Sequence, residues 1–476
     1  MMWLLYMVLL VWISMLWALI PNAPFPFYSS KYEQKYGIVD KEELEIAQEQ
    51  AREMFYFGYN NYLNHAFPFD ELDPINCRGR GYDHQNPENI NINDVLGDYS
   101  LTLIDSLNTL VIMGDKQEFH KAVDLVIKNV SFENNVTVQV FEVTIRVIGS
   151  LLSAHLVLTN DNPFFGNFTM HSYNGELLSM AHDIASRLLP AFNTNTGLPY
   201  PRVNLISGVE PGTLNETCTA GAGSLLLEFG VLSRLTLTNG STRQYNQHSD
   251  WTLGRDSFGF RAGLDSFFEY LLKTHILFGE ERDLQMFIEA RRSIEENMRR
   301  GRPKCRFGVG DPPFYANVDM RDGTVFNTWV DALQASFAGV QVLAGDLDEA
   351  ICSHAFYYSL WQKYDMLPER YNWHLKAPDL FDIENPANRH YDRLLFSTEG
   401  HIFPIISRFR SENQEDIFGS RFNSDPPLLP KFGSNESCET SSFMHRFKPP
   451  LSEERLQQYF KMVDFYYLLV GSSEYS

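Results

Sequence analysis

The sequence predicts an all-α protein in which antiparallel helix pairs form a double-walled α/α toroid. One joint occurs three times between two apolar, periodic stretches, at Met113-Gly114-Asp115, Phe278-Gly279-Glu280 and Ala344-Gly345-Asp346. Glycine readily takes the left-handed conformation that ends a helix, and an acid after it can cap the next helix. Each joint therefore predicts an αα-hairpin. The sequence does not alternate strand and helix patterns, which argues against βαβ folds.

The two helices of each pair differ in character. The first is largely apolar with one polar stripe, whereas the second is more amphipathic. This difference is typical of an inner ring of helices whose polar stripes face a central axis and which an outer ring covers. Asp115 and Glu118 have the spacing of a capping box at the start of an outer helix. The inner helices are predicted over Leu101–Met113, Leu264–Phe278 and Thr328–Ala344.

The N-terminal segment predicts entry into the secretory route. Residues 1–20 carry no charge and no helix breaker, and Pro21, Pro24 and Pro26 then end the stretch. Twenty apolar residues exceed the usual core of a cleaved signal and can span a bilayer once, so a signal peptide and a signal anchor both remain open. If the segment is not cleaved, it provides a membrane contact.

Composition restricts the class of partner. The net charge is −21 and 44% of the residues are hydrophobic. An acidic protein lacks the positive footprint that phosphate backbones require, so we expect no nucleic acid partner. The five cysteines leave at least one without an intramolecular partner in an oxidising compartment. Glycosylation sequons, which matter only in a lumen, occur at Asn129, Asn135, Asn167, Asn215, Asn239 and Asn435.

A charged pair lies within Val138–Leu158, a stretch otherwise built mainly of apolar and small residues. On a helix, Glu142, Arg146, Gly149 and Ser153 share one face, and the remaining circumference is apolar. An ionised carboxylate on such a helix must be paired or must line a wet cavity, because burying it alone costs several kcal/mol. The sequence leaves both interpretations open, a structural ion pair and a polar pocket.

Asp265 and Asp105 extend this pattern to two further inner helices. Asp265 shares a helix face, at four-residue spacing, with Arg261, Glu269 and Lys273. A solvated, salt-bridged face is the alternative interpretation, but the rest of this helix is strongly apolar. Three inner helices therefore each present a carboxylate with hydroxyl or amide groups.

Carboxylates that converge in an aromatic-rich cavity suit the hydrolysis of a glycosidic bond. One protonated acid serves the leaving oxygen and one carboxylate activates water. The sequence contains no phosphate-binding Gly-Lys-Ser/Thr loop, no His-Glu-x-x-His helix and no Gly-x-Ser-x-Gly elbow.

Several motifs resemble those of a known family. Successive motifs of class I α-1,2-mannosidases, glycoside hydrolase family 47, are similar to Ser100–Met113, Val140–His155, Gly263–Lys273 and Ser397–His401. More narrowly, the chain resembles the ER degradation-enhancing α-mannosidase-like group in that family. The motifs that carry this closer likeness begin at Phe57, Asn76, Pro199 and Leu367 and read Phe-Gly-Tyr-Asn-Asn-Tyr, Asn-Cys-Arg-Gly-Arg-Gly, Pro-Tyr-Pro-Arg-Val-Asn-Leu and Leu-Pro-Glu-Arg-Tyr-Asn-Trp.

The resemblance implies an (α/α)7 barrel over residues 36–405 with Ca²⁺ at its base. It also implies removal of mannose from Asn-linked high-mannose glycans of misfolded glycoproteins in the endoplasmic reticulum lumen, for ER-associated degradation and in connection with the unfolded protein response. Adaptors of that degradation route or thiol oxidoreductases are the protein partners it suggests. Residues 406–476 follow as a polar, mobile extension with one helix.

The resemblance also assigns roles to individual residues. Glu142 matches the general acid and Asp265 a catalytic carboxylate. Thr398 would give backbone and hydroxyl oxygens to Ca²⁺, with Glu399 beside it through water. The residues expected to bind sugar are Arg146, Asp105, Glu269, Glu369 and Arg202.

The chain departs from the family pattern in two places. The outer helix expected after Leu235 is absent, and the pattern resumes near Gly259. Leu380 runs directly into Phe381, which skips an Arg-Pro-Glu motif, its glutamate and the helices that follow. General base assistance contributes roughly 10² to 10⁴ in rate. The other function that remains open is therefore a catalytically weak, lectin- or chaperone-like binder of glycans and clients. The gaps themselves can arise from an alternative transcript or from an incomplete gene model.

Overall fold

The structure is a computed structural model, and it describes residues 41–159, 166–215, 217–238, 266–303, 313–319, 322–364, 367–380, 394–396, 398–399 and 401–404. The predicted leader at residues 1–20, the C-terminal extension at residues 406–476, the candidate Asp265 and the sequons at Asn239 and Asn435 lie outside these residues.

The described residues are mostly helical, as the sequence predicts. Two 3₁₀ turns, Leu189–Phe192 and Ala332–Ser336, lie between the helices. The helices are α1 Lys41–His65, α2 Ile90–Asn93, α3 Leu101–Asp105, α4 Leu107–Ile112, α5 Lys116–Asn129, α6 Val140–Leu158, α7 Glu176–Leu188, α8 Thr219–Gly223, α9 Leu226–Thr238, α10 Phe267–Phe278, α11 Glu281–Asn297, α12 Phe337–Leu343 and α13 Leu347–Tyr364.

The three predicted helix joints are confirmed. Gly114, Gly279 and Gly345 have φ angles of 77°, 76° and 81°, the left-handed conformation that glycine adopts without steric cost. At the first joint, Oδ1 of Asp115 accepts a hydrogen bond from the Glu118 backbone N–H at 3.0 Å, which caps α5 as predicted. The helices on either side of each joint pack against each other, α4 on α5, α10 on α11 and α12 on α13.

Short antiparallel sheets connect the helices. The pairs are β1 Glu71–Asp73 with β2 Arg78–Arg80, β3 Thr137–Gln139 with β4 Arg202–Asn204, β5 Arg299–Arg300 with β6 Phe314–Tyr315, β7 Trp329–Asp331 with β8 Arg370–Asn372, β8 with β9 Ala377–Leu380, and β10 Leu394–Phe396 with β11 Ile402–Pro404. The predicted start of an inner helix at Thr328 is wrong, because the next three residues form β7. Val330 lies opposite Tyr371 of β8, and this tertiary pairing outweighs the local helical pattern.

Helix α6 lies at the centre of the largest apolar core. Every residue of Gly149–Leu158 is buried, and this part of the helix packs against α3, α4, α7 and α9. Each fully buried leucine or isoleucine contributes about 1.5–3 kcal/mol. Among the described residues, α6 is also the one helix long and apolar enough to cross a membrane, with a mean hydropathy of 1.5, but 83% of it is buried inside the protein, as expected of a core helix.

The chain divides into two units. One comprises residues 1–51 and 448–459, of which the structure describes residues 41–51, the N-terminal turns of α1. The other comprises residues 52–447 and 460–476 and contains the remaining described elements.

Candidate active site

Arg146 holds three carboxylates from three separate segments. Its Nε donates to Glu142 Oε2 at 2.7 Å, and its Nη1 donates to Glu399 Oε2 at 2.9 Å. The same Nη1 lies 3.7 Å from Asp105 Oδ2. Burial alone would lower the pKa of Arg146, but the charges of Glu399, Glu142 and Asp105 more than offset this and raise it. We call these four side chains the Arg146 group.

The backbone of α6 is adapted where this group lies. Val143–Ile148, which contains Arg146, is a π-helical segment within the α-helix. Such segments are rare and are frequently found at functional sites. The side chains of the Arg146 group are partly open to water, with 18% of Glu142, 24% of Glu399 and 27% of Arg146 exposed.

The β10–β11 hairpin brings Glu399 and His401 against α6 at Gly149. A Cβ atom built on Gly149 would lie 2.7 Å from Cδ2 of His401, closer than real Cβ contacts come. The absence of a side chain at this position therefore lets the buried His401 ring reach the helix. The pKa of Glu399 is raised, mainly by burial, although the positive charge of the Arg146 guanidinium lowers it.

A series of polar contacts fixes the orientation of His401. Oγ of Ser153 donates to Oδ1 of Asn108, and the amide nitrogen of Asn108 donates to Nδ1 of His401 at 2.9 Å. This leaves the ring proton on Nε2, which lies 3.3 Å from Oδ1 of Asp105. The contact is close enough for electrostatic attraction, although its geometry is not that of a hydrogen bond.

A second, drier group of polar side chains lies beside the first. Tyr270 of α10 donates its hydroxyl to Glu228 Oε1 of α9 at 2.7 Å, and the backbone N–H of Thr398 donates to the same hydroxyl at 3.5 Å. Burial raises the pKa of Glu228 to about 8. Its Oε2 has no hydrogen-bond partner among the described residues. Glu269 forms an ion pair with Lys273, and both are buried.

The two groups meet at α6, which connects them into one site. Cγ of Glu228 lies 3.5 Å from the Cβ position that also approaches His401 at Gly149. Acidic side chains from α3, α6, α9 and the β10–β11 hairpin therefore come together. The sequence predicts that Asp105, Glu142 and Asp265 converge, and of these three acids the structure describes Asp105 and Glu142. Sequence reasoning missed Glu228, although a single carboxylate in the otherwise apolar start of α9 is a signal that could have found it.

Two further candidates for sugar binding, Arg202 and Glu369, contact residues outside the Arg146 group. Arg202 bonds Asp94 through two nitrogens at 2.6 and 2.7 Å, and it pairs with Gln139, which directly precedes α6. Glu369 is partly buried before β8, where its backbone oxygen accepts from the Ala332 N–H at 2.9 Å. Among the described residues, no hydrogen bond or ion pair joins Glu369 to the Arg146 group.

The structure describes the surroundings of two further predictions, the catalytic carboxylate Asp265 and a Ca²⁺ site at Thr398. The residue after Asp265, Ser266, is buried and donates to Ser224 Oγ at 2.8 Å. Within the described parts of the chain, no three His, Cys, Asp or Glu side chains are close enough to hold a metal ion. The Tyr270 hydroxyl lies 3.5 Å from the Thr398 backbone nitrogen and 2.7 Å from Glu228 Oε1, and hydroxyl and carboxylate oxygens fit a hard cation that retains backbone and water ligands.

Four predicted glycosylation sites lie on the surface. The side chains of Asn129, Asn135, Asn167 and Asn215 are exposed, so each can be reached by a transferase. This accessibility is compatible with a luminal protein.

The sequence of the chain is similar to that of a known protein family. The family model "Glycosyl hydrolase family 47" matches residues 54–250 and 237–391. ER degradation-enhancing alpha-mannosidase-like protein 1 of Schizosaccharomyces pombe is 41% identical over 478 residues, covering 80% of this chain and 59% of the relative. ER degradation-enhancing alpha-mannosidase-like protein 3 of Homo sapiens is 39% identical, covering 70% of this chain and 37% of the relative. The chain spans about half the length of the curated relatives it matches.

The fold resembles that of a solved structure. An alpha-1,2-mannosidase from Trichoderma reesei superposes with a TM-score of 0.54 at 22% identity, covering 68% of this chain and 70% of that one. The similarity supports the α/α barrel. The alignment with the Schizosaccharomyces pombe relative is 478 positions long, yet it covers only 80% of the 476 residues of this chain. The remaining positions of the alignment are therefore segments of that relative that have no counterpart here. The family model also matches in two pieces that meet at residues 237–250, where the sequence predicts a missing helix.

Proposed function

Because the chain belongs to glycosyl hydrolase family 47, we propose that it is an α-1,2-mannosidase that trims Asn-linked high-mannose glycans of misfolded glycoproteins for ER-associated degradation. The observation that carries this proposal is the Arg146 group, in which acids from three segments share one partly open guanidinium. Such a group can exchange its internal contacts for sugar hydroxyls at small cost, because water already reaches it.

The proposed chemistry is inverting hydrolysis by two carboxyl groups. Glu142 donates a proton to the glycosidic oxygen as the bond to the leaving sugar breaks. Asp265 is the proposed second carboxylate, which acts on the attacking water. Arg146 keeps the Glu142 carboxyl aimed, since its Nε bond fixes one oxygen and leaves the other for the substrate.

Other side chains bind and orient the terminal sugar in this proposal. Asp105 and Glu399 offer acceptors for mannose hydroxyls from the two sides of Arg146. Arg202 and Glu369 are proposed to act from the rim of the pocket. Glu269 is bonded to Lys273 away from water, so we propose that it supports the site from the core.

We also propose that the site uses Ca²⁺. Thr398 would hold the ion through its hydroxyl and carbonyl oxygens, and Glu399 would hold it through water. The ion supplies a hard positive centre that orients sugar and water oxygens. The support for this proposal is the oxygen-only donor set beside Thr398, Tyr270 and Glu228.

The proposed location is the endoplasmic reticulum lumen, with residues 1–20 as an anchor if they remain attached. Cys352 is disulfide-bonded, which fits an oxidising compartment. Adaptors of the degradation route and thiol oxidoreductases are proposed protein partners.

A second function is favoured by the absence of the Arg-Pro-Glu motif after Leu380. A site that lacks the glutamate of this motif and needs it beside Asp265 to activate water could still bind glycans, so the protein would retain misfolded glycoproteins with little or no turnover. Capture that persists in Glu142→Gln would favour this function.

The decisive experiment is glycan trimming by the purified luminal protein. We expect Man9 and Man8 glycans to lose α-1,2-linked mannose with Ca²⁺ and to stay intact with a chelator, and we expect proton NMR to detect β-mannose as the first product. A matched variant with the missing segments restored serves as a positive control. If only that variant trims, the binding function replaces the enzymatic one.

A further inference from the structure

Helix α3, which carries Asp105, begins after a residue that cannot cap it. Ser100 occupies the N-cap position in a left-handed conformation, with φ 57° and ψ 48°. Its hydroxyl donates to the Pro68 carbonyl at 2.7 Å, so it does not accept a bond from the helix. The first N–H groups of a helix have no partner within the helix. Their acceptor must therefore come from elsewhere.

Asp70, thirty residues earlier, provides that acceptor. Its side chain is completely buried. Its carbonyl oxygen accepts from the Thr102 N–H at 2.8 Å. Its two carboxylate oxygens accept four backbone N–H groups at 2.7 to 3.1 Å, from Gly97, Asp98, Tyr99 and Leu101.

This cradle also holds a strained part of the chain. Asp98 and Ser100 both have φ of 57°, a conformation that costs a residue other than glycine about 1 kcal/mol or more. Tyr99 between them is buried, and it lies near enough to Glu142 and Arg146 for their charges to act on its phenol. The loop that Asp70 organises is thus packed behind the Arg146 group.

We propose that Asp70 is a positioning residue, whose carboxylate caps α3 from a distance and so sets Asp105 against Arg146 and His401. Asp105 lies at the end of this five-residue helix, so a rotation of its first turn moves the Asp105 carboxylate. The proposal rests on the proposed mannosidase function for its kinetic part and on the hydrogen bonds alone for its structural part.

The surroundings of Asp70 give the proposal a pH signature. Burial raises the pKa of its carboxyl to about 6, although the backbone N–H bonds lower it and the nearby Asp98 charge raises it further. The phenols of Tyr62 and Tyr99 are the other titratable groups that face it. Because this pKa lies above the ordinary value of 3.8, the organised loop holds a proton that the opened loop releases, so the free energy of opening the loop should decrease as the pH rises from about 4 through about 6. Protonation also turns one acceptor oxygen of the cap into a donor, which changes the placement of α3 and gives turnover an acid limb near pH 6.

The test compares Asp70→Asn with Asp73→Asn in the full chain. Asp73 accepts backbone N–H groups in the β1–β2 turn and is a matched control outside the site. We expect Asp70→Asn to lower kcat on Man9 about tenfold or more and to remove an acid limb near pH 6 that the wild type and the control retain. Near-wild-type kcat with an unchanged acid limb would overturn the proposal.

Hydrogen exchange provides the measurement that does not need turnover. We expect the Tyr99 and Leu101 amides to be protected at pH 5 and to lose part of that protection, relative to amides inside α6, as the pH rises from 5 to 7 in the wild type, because the opened loop binds the Asp70 proton more weakly than the closed loop does. If no form of the protein trims glycans, the proposed function fails while this result still decides the capping role. If Asp70→Asn does not fold, the wild-type exchange profile decides it, and protection that does not change with pH would refute it.

Discussion

Two helices carry an acid one turn before a base, and the two pairs have different environments. Glu142 precedes Arg146 on α6, and Glu269 precedes Lys273 on α10. The side chains of the first pair are 18% and 27% exposed, and those of the second pair are 8% and 1% exposed. Arg146 also bonds Glu399 from a distant hairpin. The spacing is identical, so the further partners and the access of water distinguish an open charged site from a closed ion pair.

This difference determines what each pair can do. Arg146 has three carboxylates around it, so the loss of one contact to a substrate leaves its charge with two others. A closed pair cannot exchange a partner in this way, because each charge left without the other costs several kcal/mol. The α6 pair is therefore suited to substrate, and the α10 pair is suited to hold the core together.

The largest effect we expect is on catalysis by Glu142→Gln. The amide keeps the shape of the side chain but cannot donate a proton as an acid, so kcat on Man9 should fall by about 10² or more. The free energy of unfolding should change less than it does for a break in the α10 pair, because Arg146 keeps Glu399 and Asp105 as counter-charges. Initial rates and urea unfolding test both statements. Turnover close to that of the wild type would remove Glu142 from the role of general acid.

The opposite pattern is expected for Glu269→Gln. This change removes the Glu269 charge from the buried Lys273 ammonium, and breaking a buried ion pair in this way typically costs about 3–5 kcal/mol of stability. Urea unfolding measures the loss.

The double variant Glu269→Leu with Lys273→Met is the control for that prediction. It removes both charges and should recover most of the stability. If it folds as stably as the wild type but no longer binds glycan, then Glu269 contacts sugar and the α10 pair is not merely structural.

The sequence predicted local features well because their causes are local. A glycine that ends a helix acts through its own φ angle, so the joints at Gly114, Gly279 and Gly345 were predictable. The pairing of Glu142 with Arg146 was predictable from one helical turn.

The rest depends on residues distant in sequence. The backbone amides bound by Asp70 follow it by 27 to 31 positions, and Tyr270 follows Glu228 by 42. No spacing rule connects such residues. Glu142 and Glu269 likewise share one sequence pattern. Their different exposure is a property of the packed structure, so the pattern cannot distinguish them.

A smaller effect is expected where the β10–β11 hairpin touches α6. Gly149→Ala would place a methyl group 2.7 Å from the buried His401 ring. Such overpacking typically costs 1–3 kcal/mol, and the displaced hairpin should also reduce glycan affinity. The matched control is Gly339→Ala in α12, where nothing lies within 4 Å of the added atom, and where alanine should stabilise the helix by up to about 1 kcal/mol. Equal effects of the two changes on stability would show that His401 does not pack against α6 as described.

The last expected effect depends on pH and concerns the boundary between the open and the closed regions, where Glu228 lies. Burial raises the pKa of Glu228 to about 8, above its ordinary value near 4.5, so the folded protein binds a proton that the unfolded chain has released. The contribution of Glu228 to stability is therefore fully present below about pH 4.5 and is lost as the pH rises through about 8. One such proton gives a slope of at most about 1.4 kcal/mol per pH unit. Urea unfolding in chelator between pH 5 and pH 8 should show this slope in the wild type, and Glu228→Gln should flatten it. Parallel slopes would mean that Glu228 is ionised in the folded state and belongs with the open acids around Arg146, not with the closed pair on α10.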